Sequence, residues 1–483
     1  MRIRHFKLAP YTFYTLFTLL TVSLLLHILP SRPRMRPIVW FTRTQPAPTP
    51  SAQIVWPMKL GNSRQPYELQ LDAIISSDSA VANLATVESN LVLGRNASST
   101  TLTYADLVKI PDDHWLRPHH PNVYFAYPQA FNLTQIYDNL LQQKPIPQLP
   151  VNGYMFRYLV ISRDVCHPDN PASQMLDLVV VVRSSVANFK RRQEFRKLYS
   201  PFTNRSANIN THLRIGLVFS MGVPRSQQNN LFMRGGKVLS LTSSGGAQLN
   251  AEGLRATAAS FEAEQAKYND LVVGDYEDTY YNLTMKTIYS FQWAAAFCRN
   301  SRPTLLFIDD DLPISMTKFA NTISKLPPET RANLYHGKVL FNITVRRFVP
   351  RGFNKWSVEK QEVPWTVYPT YTCGAFLLLG FPQLERLAIG MLFTQAFPLE
   401  DAYTGVVAAR MGLRPGSMYD LVRPEHILTK RPHNLECVCN LAQCSCSPFS
   451  PSVLLVLKIS KSASILKGSI LRRIKDGTME FAV

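Results

Sequence analysis

Between residues 175 and 312, short apolar runs alternate with segments of helical spacing. The runs LDLVVVVRSS, LRIGLVFSMG, DLVVGD and TLLFIDDD are typical of strands buried on both faces of a sheet. The helical segments are NFKRRQEFRKLY, whose apolar side carries Phe189, Phe195 and Leu198, then AEGLRATAASFEAEQAKYN and YYNLTMKTIYSFQWAAAFC. This alternation predicts an α/β fold with a central, mostly parallel sheet flanked by helices. Ligands of such sheets bind beyond the carboxyl ends of the strands.

Three aspartates, Asp309, Asp310 and Asp311, stand at one of those strand ends. A single aspartate there is ordinary as a helix cap or in a turn, but two more like charges repel and need a counter-charge. Carboxylate oxygens suit Mn²⁺ or Mg²⁺, and these cations bridge phosphate oxygens. The basic segment from Arg183 to Arg196 would meet the remaining charge of a nucleotide. The triplet therefore predicts a site for a divalent cation that carries a nucleotide.

The formal net charge of the 483-residue chain is +19, which suits a polyanionic partner such as nucleic acid, a phosphorylated small molecule or an acidic glycan. Residues 8–29 contain no Lys, Arg, Asp or Glu and are long enough to span a bilayer as one helix. A cleaved signal peptide usually has a shorter apolar core and a small-residue cleavage site, whereas Pro30, Ser31 and Arg32 follow here. The pattern favours an uncleaved signal anchor preceded by a cytoplasmic tail, residues 1–7.

Glycosylation acceptors and cysteines indicate the compartment of the downstream chain. Asn-x-Ser/Thr triplets begin at Asn96, Asn132, Asn204, Asn282 and Asn342. Seven cysteines fit an oxidising lumen, where disulfides persist. A luminal body follows as the expectation, and nucleic acid is not an expected partner.

The amino-acid composition of the rest of the chain predicts its division into a stem, a catalytic domain and a C-terminal tail. Residues 30–150 are rich in proline and are predicted to form a stem, followed by a luminal catalytic domain at 151–450. Residues 451–483 form a basic tail that either binds a membrane or an acidic glycan or is a solvated helix face.

The C-terminal cysteine cluster has a spacing tighter than zinc sites use. It comprises Cys437, Cys439, Cys444 and Cys446. Zinc usually takes two to four residues between paired ligands, so disulfides are favoured, joined by Cys166, Cys298 and Cys373. An odd count leaves one thiol free or paired between chains, so a homo-oligomer stays open.

Five blocks in a fixed order resemble the β1,3-glycosyltransferase family, which includes β1,3-galactosyltransferases, β1,3-N-acetylglucosaminyltransferases and the fringe proteins. The blocks are NFKRRQEFRKLY, YNDLVVGDYEDTYYNLTMKTIYSFQWAAAFC, FIDDD, KWSVEKQEVPWTVYPTYTCGAFLLLG and PLEDAYTGVVAARMGLRP. Leu198 and Tyr199 replace the family's Thr-Trp, Leu312 and Pro313 its Val-Phe, and Ala402 its Val. The acidic residues are intact, so the chain resembles a divergent member.

The resemblance implies a single-domain, GT-A-type nucleotide-sugar glycosyltransferase fold in a type II Golgi membrane protein. It implies metal-dependent, inverting transfer of galactose from UDP-galactose to the 3-hydroxyl of a glycan. Two alternatives stay open: transfer of N-acetylglucosamine or N-acetylgalactosamine, and a catalytically inactive glycan-binding membrane protein.

The resemblance also suggests roles for single residues. Asp401 is expected as the general base with Glu400 as the alternative, although an acidic pair also suits a helix N-terminus. Asp311 and His426 are the expected metal ligands. The residues expected near the UDP-sugar are Asp309, Asp310, Arg183, Arg192, Arg196 and Asp275. Trp365 would stack on the acceptor or lie in the core, and Gly374 would let backbone approach the acceptor.

Overall fold

The computed structural model describes fifteen ranges of the chain, and every structural statement below concerns these residues. They are 58–60, 66–75, 86–94, 100–126, 132–147, 149–153, 155–203, 213–224, 231–234, 236–240, 251–312, 314–348, 355–421, 435–440 and 443–448.

Sixteen strands lie in these ranges. They are β1 Met58–Leu60, β2 Tyr67–Leu71, β3 Val87–Glu88, β4 Thr101–Leu102, β5 Met155–Val160, β6 Leu178–Arg183, β7 Ile215–Val223, β8 Leu231–Arg234, β9 Lys237–Ser240, β10 Leu271–Glu277, β11 Thr304–Asp309, β12 Tyr335–Leu340, β13 Tyr371–Leu379, β14 Gly416–Ser417, β15 Leu435–Asn440 and β16 Gln443–Pro448.

Ten α-helices accompany the strands, together with short 3₁₀ turns. They are α1 Ser89–Leu93, α2 Tyr104–Lys109, α3 Leu133–Leu141, α4 Phe189–Tyr199, α5 Ala251–Lys267, α6 Leu283–Phe297, α7 Met316–Lys325, α8 Pro328–Ala332, α9 Phe381–Leu392 and α10 Glu400–Arg410. The strands and helices predicted between residues 175 and 312 are all present.

Ten strands form one sheet in the order β1-β2-β5-β10-β7-β6-β11-β13-β12-β14. The four central strands, β10, β7, β6 and β11, are mutually parallel. Antiparallel pairs extend the sheet on both sides of this centre. The prediction of a mostly parallel sheet is therefore correct for the centre and wrong for the flanks, because those strands come from segments without a recognisable strand pattern.

The central strands create a switch point in the sheet. Chain order runs outward from β6 through β7 to β10, and then returns to place β11 on the other side of β6. In open α/β sheets the crevice at the carboxyl ends of two such strands is where ligands bind. Arg183 and Asp309 are register partners at the ends of β6 and β11, so a cation and a carboxylate lie at this crevice.

Two hydrophobic cores cover the two faces of the sheet. Val179 and Val181 of β6 face one core, whereas Val180 and Val182 face the other, as the alternation of side chains in a strand requires. Helix α6 packs in the first core and is buried along nearly its whole length. Helices α4 and α7 pack in the second. The carboxyl edge of the central strands is thus supported from both sides by close-packed apolar side chains.

The stem prediction is wrong for the described part of residues 66–147. Strand β2 pairs with β5 in the main sheet. Leu69, Leu107, Leu133 and Ile146 are buried in the first core. These short, proline-interrupted elements bury apolar side chains only against the rest of the fold, so their sequence carries little periodic signal of its own.

The described ranges include some of the residues for which disulfides were predicted, but not the predicted membrane anchor. Cys166 and Cys298 form a disulfide that joins the segment after β5 to the end of α6. Strands β15 and β16 pair with Cys437 opposite Cys446 and Cys439 opposite Cys444.

No helix within the described ranges is long and apolar enough to cross a membrane, and residues 8–29 lie outside those ranges.

Helix α4 buries an arginine instead of the predicted leucine. Leu198 is exposed, whereas Arg192, Phe195 and Tyr199 form the buried face. The Arg192 guanidinium donates to both carboxylate oxygens of Glu264 on α5, with a shortest distance of 2.7 Å. A buried ion pair of this kind is strongly destabilised when one partner is removed, because the other charge stays buried without compensation.

We therefore expect Glu264→Gln to lower the free energy of unfolding by about 3–5 kcal/mol, measured by chemical denaturation. The matched control is Glu262→Gln, an exposed glutamate on the same helix, which should change it by less than about 0.5 kcal/mol. Equal effects of the two substitutions would contradict a stabilising role for the Arg192–Glu264 pair.

The same pair sets a dependence of stability on pH. Burial acts to raise the pKa of Glu264, but Arg192 and Arg196 outweigh it and hold that pKa below its ordinary value of 4.5. The contribution of Glu264 is therefore complete above pH 4.5 and is lost as the pH falls through the lowered pKa of the folded state. Wild type and Glu264→Gln should converge in stability on acidification.

Candidate active site

Arg183 joins three strands at the carboxyl edge of the sheet. One terminal nitrogen of its guanidinium lies 2.7 Å from Oδ1 of Asp309 and also donates to the backbone carbonyl of Gly374 in β13. Burial raises the pKa of Asp309 and the neighbouring Asp310 adds to this, while Arg183 lowers it. The Asp309 side chain is 41% exposed, and Arg183 is the charge that most strongly opposes the rise of its pKa.

Asp310 is held by three protein donors. Its Oδ2 accepts from the Ser184 hydroxyl at 2.8 Å and from the Asn188 amide at 2.7 Å, and its Oδ1 accepts from Arg191 at 2.7 Å. The side chain is 6% exposed. This arrangement orients the β11 turn, and the Asp310 carboxylate is more fully occupied by the protein than its two neighbours.

Asp311 has the environment of a cation ligand. Its Oδ2 lies 3.9 Å from a terminal nitrogen of Arg191, and its side chain is 25% exposed. Burial, then repulsion from Asp309 and Asp310, raises the pKa of Asp311 to about 6. Crowded carboxylates of this kind gain from a hard divalent cation.

A complete protein cage for a metal is not present among the described residues, where no three acidic, histidine or cysteine side chains converge. Mg²⁺-like cations are usually bound by one or two carboxylates together with substrate phosphates and water, and the donor set at Asp309 and Asp311 fits that pattern. The other predicted ligand, His426, lies outside the described residues.

Glu400 and Asp401 begin helix α10 beside Gly374. A Cβ built on Gly374 would lie 2.6 Å from Oε1 of Glu400, closer than real side chains approach, so any other residue there requires the Glu400 carboxylate to move. Asp401 accepts hydrogen bonds from the backbone N–H groups of Ala402, at 2.7 Å, and Gly374. Two fixed donors therefore aim the Asp401 carboxylate at the same edge where Asp309 lies.

Burial raises the pKa of both carboxyls of this pair. For Glu400 the repulsion from Asp401 adds to burial and the pKa reaches about 8, whereas backbone donors and Arg183 oppose the rise for Asp401. The two carboxyls titrate as a coupled pair, and burial raises the pKa of both. An ionised Asp401 can accept a proton from a substrate hydroxyl.

The site also contains residues that the sequence did not single out. Burial raises the pKa of Tyr280, and the next causes are the charges of Glu400 and Asp401, so its hydroxyl lies beside this pair. The Trp356 indole donates to the Tyr280 hydroxyl, and Lys355 Nζ lies 4.9 Å from the centroids of both rings. In the sequence, Lys355 and Trp356 are the first two residues of the KWSVEKQE block. That block is part of the family resemblance, but no role was predicted for either residue.

Three predicted ligand contacts are not made in this structure. Trp365 is fully buried, with its ring against Tyr124, so it offers no face to an acceptor sugar. Arg192 and Arg196 bind Glu264 and other protein acceptors instead of facing the aspartate triplet. They are the counter-ions of helix α5, and placing them at the nucleotide was wrong.

Two acidic residues of the second block lie apart from one another. Asp275 is exposed and pairs with Arg157 of β5 at 3.4 Å. Asp278 is buried and pairs with Lys286 at 2.8 Å, and Lys286 in turn donates to the Ser184 carbonyl. The Lys286 charge also lowers the pKa of Asp309. Asp278 therefore supports the edge through Lys286, while Asp275 lies on the flank of the sheet.

Three of the predicted glycosylation acceptors are described. Asn132 is exposed and caps α3 with its side-chain oxygen, and Asn342 is exposed with a φ of 55°. Asn282 is half-buried and its amide donates to the Glu277 carbonyl at 2.8 Å. Asn96 and Asn204 lie outside the described residues.

Known proteins match the region that carries this site. The Galactosyltransferase family profile matches residues 250–419. The chain is 28% identical over 265 residues to UDP-GlcNAc:betaGal beta-1,3-N-acetylglucosaminyltransferase 9 of Homo sapiens, covering 54% of this chain and 58% of that relative. It is 23% identical over 309 residues to lactosylceramide 1,3-N-acetyl-beta-D-glucosaminyltransferase of Xenopus tropicalis, covering 63% and 71%. It is 21% identical over 266 residues to beta-1,3-galactosyltransferase 1 of Mus musculus, covering 55% and 68%.

The fold, the carboxylates at its switch point and these matches define a glycosyltransferase. The matched region includes the aspartate triplet, Gly374 and the Glu400–Asp401 pair. In this region the chain is similar to β1,3-glycosyltransferases, at 21–28% identity to the relatives named above.

Gly374→Ala tests the close approach at the acidic edge. The new methyl group would displace the flexible Glu400 side chain, so we expect transferase activity to fall at least about tenfold with little change in melting temperature. Gly216→Ala is the matched control, because its methyl group would meet Val165 and Leu176 in the core at 3.0–3.1 Å. It should lower the melting temperature more than the specific activity, and the reverse pattern would contradict this assignment.

Proposed function

We propose that the protein transfers galactose from UDP-galactose to the 3-hydroxyl of a glycan, with inversion at the anomeric carbon and with a divalent cation. The observation that carries the proposal is the convergence of Asp309, Arg183 and the Glu400–Asp401 pair at the switch point of the sheet. The matched relatives support the class of reaction, and their names all describe β1,3 or 1,3 transfer.

The donor half of the site is the aspartate triplet with its arginines. Asp311 and Asp309 would hold Mn²⁺ or Mg²⁺, while Asp310 keeps the turn in place through Ser184 and Asn188. When bound, the cation neutralises charge on the diphosphate leaving group. Arg191 lies between Asp310 and Asp311 and is 38% exposed, so its guanidinium is positioned to meet a phosphate oxygen.

The acceptor half is the Glu400–Asp401 pair. Asp401 takes the proton of the acceptor 3-hydroxyl as that oxygen forms its bond to the anomeric carbon and the bond to UDP breaks. The backbone donors of Ala402 and Gly374 hold the carboxylate in place throughout, which limits the reorganisation required. A single displacement needs only one catalytic base, so Glu400 is not required as a second one.

N-acetylglucosamine is the second candidate donor sugar. Two of the relatives named above carry N-acetylglucosaminyl transfer in their names, and one carries galactosyl transfer. The third candidate is an inactive glycan-binding protein, against which the intact aspartate triplet and the intact Glu400–Asp401 pair argue.

We further place the protein in the Golgi membrane with its catalytic domain in the lumen. The apolar stretch at 8–29 and the glycosylation triplets support this topology. The disulfide between Cys166 and Cys298 supports an oxidising compartment.

Turnover by the full chain with Mn²⁺, a panel of UDP-sugars and glycan acceptors tests the proposal. Asp401→Asn keeps the shape of the base but cannot accept the proton, so kcat should fall by about 10²–10⁴-fold while UDP binding persists. Asp138→Asn, an exposed aspartate on α3, is the control and should retain wild-type kcat. Full activity of Asp401→Asn, or no turnover of any UDP-sugar by wild type, would contradict the proposal.

A further inference from the structure

Trp356 lies between two basic side chains at the acceptor half of the site. Arg346 approaches its ring with the guanidinium carbon 5.3 Å from the centroid, and Lys355 Nζ lies 4.9 Å away. The ring is half-buried, so part of it faces solvent. Within the described ranges neither Arg346 nor Lys355 makes an ion pair, since each contacts aromatic rings instead of a carboxylate.

Both cations are connected to the catalytic pair through tyrosines. Lys355 also approaches the ring of Tyr280, whose hydroxyl lies beside Glu400 and Asp401. Arg346 acts on the pKa of Tyr371, which burial raises and to which Asp401 and Glu400 add. The two cations therefore flank the place where the acceptor hydroxyl must meet Asp401.

We infer that this cluster of Trp356, Arg346 and Lys355 is an acceptor subsite that selects a sugar with an acidic group, a carboxylate or a sulfate. The inference rests on the proposed function for the identity of the neighbouring base. An indole face suits the apolar face of a pyranose ring, and a cation at its edge suits an anion on that ring. A neutral acceptor would bring no additional anion to these two partly buried cations, whereas an acidic sugar would.

The location of the cations separates this subsite from the diphosphate site. Arg183 and Arg191 already face the aspartate triplet at the ends of β6 and β11. Arg346 and Lys355 instead neighbour the residues around Glu400 and Asp401. We therefore assign an anion bound by Arg346 and Lys355 to the acceptor. If these two residues bind UDP instead, the assignment is wrong.

Matched aryl glycosides test the inference by binding and not by turnover. Aryl β-D-galactoside and β-D-galacturonide differ only in the C6 group, as do aryl β-D-glucoside and β-D-glucuronide. Titrations of the full chain in the presence of UDP and Mn²⁺ should give a dissociation constant about tenfold lower for the acid in at least one pair. Arg346→Gln and Lys355→Gln should each bring the ratio of the two constants close to one.

Arg331→Gln is the matched control. Arg331 lies beside Thr304 at the amino end of β11, the opposite edge of the sheet, so this variant should keep the wild-type ratio. Equal binding of acid and neutral glycosides in both pairs overturns the inference. The inference is also overturned if Arg346→Gln weakens the binding of UDP by the same factor as the binding of the acidic glycoside.

The experiments distinguish failure of the acidic subsite from failure of the proposed transferase function. A chain that prefers acidic glycosides but transfers no sugar keeps the subsite and removes the transferase proposal. A chain that transfers sugar to neutral glycans without any acid preference does the opposite.

Discussion

The contact of Arg183 with Asp309 and with the Gly374 carbonyl is the interaction on which the candidate site depends. It ties together β6, β11 and β13 at the carboxyl edge of the sheet, and it is a cation shared by two separate groups of acids. Arg183 lowers the pKa of Asp309 and opposes the rise for Glu400 and Asp401. Without Arg183, burial and the repulsion between these carboxyls would raise their pKa values further.

Two separate sets of cationic side chains lie around this contact. Arg183 and Arg191 compensate the aspartates that are suited to a metal and a diphosphate. Arg346 and Lys355 lie with aromatic rings near the base and are suited to the acceptor. Gly374 stands between the halves, where its lack of a side chain lets Glu400 approach β13. The same backbone position therefore binds Arg183 through its carbonyl and Asp401 through its N–H.

Local signals in the sequence were sufficient for the central strands, the helices between them and the acidic edge. Apolar runs such as that of β6 are buried on both faces, and the end of a strand fixes where its next residues lie. Long-range pairing was not visible. Arg192 was expected near the UDP-sugar, because its partner Glu264 is 72 residues away and no local pattern indicates the pair. Trp365 and Trp356 are both tryptophans in one block, and only tertiary packing decides that the first is core and the second faces the site. Residues 66–147 gave no periodic pattern because their short elements are stabilised by contacts with the main sheet.

The central claim is that the aspartate triplet holds a nucleotide diphosphate through a divalent cation. The most direct measurement is the dissociation constant of UDP for the full chain, with and without Mn²⁺, in wild type and in Asp311→Asn. The account predicts that Mn²⁺ tightens UDP binding to wild type by about tenfold or more and that Asp311→Asn loses this gain. UDP affinity that does not respond to Mn²⁺, or an undiminished gain in Asp311→Asn, would contradict it.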